Sequence, residues 1–135
     1  MTAGYSGTPL AKKLGIKDGH RVAVMNEPKE FRRLLGGASS DVSFQDHPDD
    51  SPDLVIAFYT ERAALTAALP ALADAVFPDR AIWLAWPKRS SGVETDLTGN
   101  VVREEVLVTK LVDIKVAAIS EIWSGLKVVW RKEQR

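Results

Sequence analysis

Along this chain, short unbroken apolar runs alternate with segments whose apolar residues recur every three or four positions. "RVAVMN" (21–26) predicts a first strand and "DVSFQ" (41–45) a short second one. "DLVIAFY" (53–59) and "AIWLAWP" (81–87) lack polar alternation, the mark of strands buried on both faces. "VDIKVAAIS" (112–120) and "GLKVVWRK" (125–132) follow, and Lys115 and Lys127 put this pair near one edge of the sheet. Between the strands, "KEFRRLLG" (29–36) predicts a short helix stopped at Gly36-Gly37. In 61–76, Leu65, Leu69, Leu72 and Val76 form a helical stripe that Thr60 can cap. Pro70 lies inside it and is expected to kink the helix or start a second segment, because proline lacks the backbone donor. Residues 98–110, with Val101, Val102 and Val106 and Thr98 as a cap, predict a further helix.

Strand–helix–strand repetition with doubly buried strands predicts an α/β fold of three layers, Rossmann-like, its mostly parallel sheet of about six strands covered on both faces. Only "EIWS" separates the last two strands, too short for a crossover, so they should form a C-terminal antiparallel hairpin. This order of elements resembles the class I methyltransferase core, with the antiparallel strand closing the sheet. At 135 residues the chain is expected to be one domain. Residues 1–15, rich in small and polar residues at the start, are expected to be an extended arm laid across it.

Composition narrows the chemistry. Eighteen Lys and Arg balance eighteen Asp and Glu, which argues against nucleic-acid binding through bulk charge. With no cysteine there can be no disulfide, thiolate nucleophile or Cys-based metal site. Of the two histidines, His47 sits among Asp46, Asp49, Asp50 and Asp53, which reads as a solvated acidic loop rather than a metal site. No apolar run is long enough to span a bilayer, and no basic-then-apolar leader opens the sequence; a cytoplasmic protein is expected.

Ligands of open parallel sheets bind beyond the carboxyl ends of the strands. Those ends carry Asn26, Tyr59 and the loop "PKRSSGVETDLT" (87–98), with the hairpin tip near Trp123 on the same side. Lys88 and Arg89 supply charge, Ser91 and Thr95 hydroxyls, and a helix starting near Thr98 free amides, a set suited to an anion. The competing reading is that Thr95 and Asp96 form a turn-and-cap arrangement while Lys88 and Arg89 are solvated. Trp83, Trp86 and Trp130 read as core; Trp123, placed in the hairpin connection, either packs under the strand-four loop or is exposed for a partner. No cofactor is expected. The turn after the first strand, "VMNEPKEF", has no glycine, whereas dinucleotide and S-adenosylmethionine sites need close backbone approach there. No Gly-x-Ser-x-Gly elbow is present, and an acid–base cluster of Tyr59, Lys88 and Glu121 is not forced by spacing.

Three segments, "GYSGTPLAKKLGI" (4–16), "LAWPKRSSGVETDLT" (84–98) and "IWSGLKVVW" (122–130), together resemble a small actinobacterial family catalogued only as a domain of unknown function, number three thousand and fifty-two. That resemblance implies a stand-alone cytoplasmic domain and carries no catalytic residue. The leading expectation is a non-catalytic binding or regulatory module. It would hold an acidic small molecule or protein segment with Lys88, Arg89, Ser91, Thr95, Trp123, Tyr59 and Asn26. The rivals are a small or degenerate methyltransferase-like transferase and an assembly protein that forms a homodimer. Neither nucleic acid nor membrane is an expected partner.

Overall fold

The apolar runs become strands β1 (Arg21–Met25), β2 (Ser43–Gln45), β3 (Leu54–Phe58), β4 (Ala81–Pro87), β5 (Leu111–Ala118) and β6 (Trp123–Trp130). A computed structural model, describing residues 9–36 and 41–135, joins them in one sheet of order β2-β1-β3-β4-β6-β5. The first four pair in parallel, and β6 runs antiparallel to both β4 and β5. The fold is therefore the expected mostly parallel, methyltransferase-like α/β sheet with an antiparallel hairpin. One detail differs from the element order alone: β6 does not close the sheet but inserts between β4 and β5. Its Leu126 and Val128 are fully buried, while β5, with Ile114 and Val116 exposed, takes the edge.

Every residue of β3 and β4 is buried, as expected of strands covered twice. Their side chains alternate between two cores. Val55, Ala57, Ile82 and Leu84 meet α3 (Arg62–Val76) and α4 (Gly99–Leu107) on one face. Ile56, Phe58, Trp83 and Ala85 meet α1 (Leu10–Leu14) and α2 (Phe31–Leu35) on the other. The Trp83 indole, without exposure, donates to the Leu14 carbonyl at 2.9 Å, tying α1 to the sheet centre.

α1 corrects the expected extended arm over its last residues: Leu10–Leu14 is helical, ended by Gly15 in the left-handed region. Ala11 and Leu14 are buried there, so the turn folds on tertiary contact rather than on a repeating stripe. Residues 1–8 of that arm, and Gly37, lie outside the described residues. Of the two Pro70 expectations, a second segment is corrected, since α3 is a single helix running through it. Pro70 is exposed, on the side of the helix where water can serve the carbonyl it leaves unbonded.

Candidate functional site

At the carboxyl edge, Pro87 pairs with Trp123 and the Lys88 amide donates to the Ile122 carbonyl at 2.7 Å, so β4's end and the hairpin share one rim. The chain then enters a short 3-10 turn, Arg89–Ser91, closed by Gly92 at φ 77°. Two hydroxyls are spent on this loop's own backbone. Ser91 Oγ donates to the Lys88 carbonyl at 2.6 Å and accepts from the Val93 amide at 3.2 Å. Thr95 Oγ1 donates to the Thr60 carbonyl and accepts from the Leu97 amide at 3.0 Å. Thr98 caps α4 as expected, accepting from the Val101 amide at 3.2 Å. α3 is capped differently: Thr60 offers no side-chain cap, and Asp96 reaches across to accept from the Arg62 amide at 2.7 Å.

Between this loop and the start of α4 lies a cleft of about 450 Å³, its walls including Lys88, Arg89, Thr95, Thr98, Gly99 and Ser124. Neither the Lys88 ammonium nor the Arg89 guanidinium pairs with a carboxylate among the described residues. The amides of Gly99 and Asn100 also have no partner among them. Two cations and the positive end of a nine-residue helix thus face one space.

Trp123 is elsewhere. The hairpin connection is 119–122 rather than 121–124, so Trp123 is the first residue of β6. Successive strand residues point to opposite faces. Ser124 therefore faces the Lys88 cleft while Trp123 turns to the α2 side, half-buried, its ring edge-to-face with Phe58 at 5.0 Å. It neither packs under the strand-four loop nor stands free. A second cavity, about 220 Å³, opens where β1 and β3 part and includes Asn26, Tyr59, Glu61 and Trp123. Asn26 sits there at φ 57° with its Nδ2 donating to the Phe58 carbonyl at 3.0 Å, and burial pushes the Tyr59 phenol above its ordinary pKa.

The seven expected residues consequently divide. Lys88, Arg89 and Thr95 share the first cleft; Asn26, Tyr59 and Trp123 share the second; Ser91 lines neither. Tyr59, Lys88 and Glu121 line three different cavities and form no cluster. No group of three His, Asp or Glu side chains arranged to hold a metal exists among the described residues, the His47 loop included. No helix among them is long and apolar enough to cross a membrane.

A third cavity was not anticipated. It is bounded by Glu30, Phe31, Arg33, Phe58 and residues 119–123, contributed by α2, β3 and the hairpin. These residues stand far apart in sequence, and no local spacing signals their meeting.

No family model matches the chain, and no curated protein does. Solved structures do match in fold. An S-adenosylmethionine-dependent methyltransferase from Aquifex aeolicus aligns at TM-score 0.57 with 12% identity, over 88% of this chain and 86% of that one. Magnesium protoporphyrin IX methyltransferase from Synechocystis PCC 6803, solved with bound S-adenosylmethionine, aligns at 0.55 with 10% identity, over 90% and 74%. A protein of the NADB-Rossmann superfamily from Streptococcus agalactiae aligns at 0.52 with 11% identity, over 96% and 70%. At such identities the likeness is one of fold, that of the class I methyltransferases.

Proposed function

We propose that this chain is a binding module holding an acidic ligand, a small molecule or a protein segment, in the cleft between Lys88–Arg89 and α4. One observation carries the reading: two unpaired cations and Gly99, whose amide is free at the start of α4, line a cleft of about 450 Å³ at the edge where such sheets keep their ligands. Membership of the actinobacterial family resembled by the sequence, and a cytoplasmic setting, belong to the same reading. Titration of the isotope-labelled protein with inorganic pyrophosphate and with an acidic peptide tests it. Amide resonances of Lys88, Arg89, Gly99 and Asn100 should move, and Lys88→Gln with Arg89→Gln should abolish the response. Unmoved resonances would overturn the proposal.

The fold neighbours favour a second reading, a small or degenerate methyltransferase, and S-adenosylmethionine is the cofactor it requires. The residues here do not fit that group. The turn from Asn26 to Glu30 has no glycine and carries Pro28 where backbone must approach the ligand. Immediately beyond it Phe31 is buried, edge-to-face with Phe58 at 5.1 Å. Thermal melting with S-adenosylmethionine should accordingly leave Tm unchanged. A ligand at a hundred times its Kd adds about 2.7 kcal/mol, so a rise of several degrees would replace our reading with the enzyme. Homodimer formation through the β5 edge, where Ile114 and Val116 are exposed, is a third reading that sedimentation at two concentrations decides.

A further inference from the structure

The unanticipated cavity beside α2 has a composition unlike that of the Lys88 cleft. Its volume is about 230 Å³, and its apolar wall is continuous: Phe31 meets Phe58 at 5.1 Å, and Phe58 meets Trp123 at 5.0 Å, both edge-to-face. Ile122 forms an exposed apolar rim. Into this wall is set one polar anomaly. Glu30 Oε2 is buried with no hydrogen-bond partner. A buried acceptor left unsatisfied is costly, more so when charged, and a rotation of the Glu30 carboxylate would turn it from behind the wall toward a donor entering the cavity. Arg33, one turn along α2, lines the same cavity yet is exposed and does not bond it.

Charge settles which donor suits the space. Two carboxylates, Glu30 and Glu121, line the cavity against one guanidinium, Arg33, so its net charge favours a cation. A hard metal ion is a poor match, because the remaining walls are mostly rings and aliphatic groups and the Ser120 hydroxyl already accepts from the Ile122 and Trp123 amides. A protonated amine on an apolar body satisfies both halves: the ammonium meets the carboxylate, and the body packs against rings whose faces attract cations.

We propose that this cavity binds a small organic amine, its ammonium against Glu30 and its apolar, ring-sized body along Phe31, Phe58 and Trp123. The site is separate from the Lys88 cleft and does not depend on it: Trp123 faces one and Ser124 the other. The same chemistry is presented by a free amine and by an amino acid whose carboxylate would meet Arg33.

The test uses 2-phenylethylamine as probe, followed by NMR on the full chain. Shifts should concentrate at Glu30, Ile122 and the Trp123 indole. Glu30→Gln, which keeps shape and removes charge, should weaken binding about tenfold or more. Ile122→Lys, an exposed loop substitution that tethers an ammonium at the rim, should abolish it with the fold intact. 3-Phenylpropanoate, with the same ring and the opposite charge, should not bind. L-phenylalanine distinguishes the sources. Tighter binding than the amine, lost in Arg33→Gln, identifies an amino-acid site; weaker binding identifies a free-amine site, and either upholds the proposal. Absence of shifts at millimolar probe, or equal binding by Glu30→Gln or by 3-phenylpropanoate, overturns it.

Discussion

Among the described glycines, Gly125 is the one where an added methyl group would meet its neighbours most closely. A Cβ there would lie 2.9 Å from Ile119 Cδ1 and 3.0 Å from Trp83 Cε3. Ile119 can give way at its flexible end, but Trp83 is held by its bond to Leu14. Gly125→Ala should therefore destabilise by about 1–3 kcal/mol, the usual cost of overpacking, read from urea denaturation. Lys127 offers a different test. It is partly buried 6.0 Å above the Trp83 ring, and burial, then Lys115 and Lys17, push its pKa below the ordinary 10.5. Just below pH 10.5 the unfolded chain keeps a proton that the folded chain has released, so stability should rise with pH across that window. Tyr59 acts in the opposite sense above pH 10.0, where its raised pKa makes the folded form lose stability as pH climbs. Melting curves from pH 8 upward should show the rise in the native protein, and Lys127→Met should flatten it.

At the scale of elements, α3 and α4 are joined by a polar clasp. Arg62 Nε donates to Glu105 Oε2 at 2.6 Å, Thr66 Oγ1 donates to Glu105 Oε1 at 2.9 Å, and Asp96 caps Arg62 from the loop between the helices. The hydrogen bond from Arg62, then that from Thr66, holds the Glu105 carboxyl below its ordinary pKa. Its contribution is present above the ordinary value of 4.5 and is lost as pH falls through the folded-state pKa. Glu105→Gln should make acid unfolding less steep. Asp96→Ala leaves the first turn of α3 uncapped and should cost about 1 kcal/mol, measured by denaturant midpoint. The Leu65-Leu69-Leu72-Val76 stripe and the Thr98 cap were readable from the sequence because helix periodicity and N-caps act within a few residues. A capping role for Asp96 was readable too, but not its partner, because that amide belongs to a helix much earlier in the chain. Nor was α1, whose single turn is too brief to display a period.

For the molecule as a whole, two cores share the central strands β3 and β4, whose residues alternate between them. Neither core can come apart while the other keeps its sheet intact. Unfolding followed by tryptophan fluorescence and by far-ultraviolet circular dichroism should thus give coincident transitions, whereas separated midpoints would mean that the faces unfold independently. Apart from the insertion of β6 between β4 and β5, the sheet's architecture followed from local signals: unbroken apolar runs for doubly covered strands, and a connection too short for anything but a hairpin. Trp83, Trp86 and Trp130 were legible as core on the same grounds, and all three are buried. What the sequence by itself determined was the kind and order of the elements and the edge on which polar loops collect, since these depend on neighbouring residues and chain length. Only the tertiary structure decided that Trp123 and Lys88 face different cavities, and that Glu30 meets an aromatic wall drawn from three elements. The reason is geometric: moving a strand's start along the chain by one residue exchanges its faces, and residues distant in sequence leave no periodic trace of where the sheet brings them together.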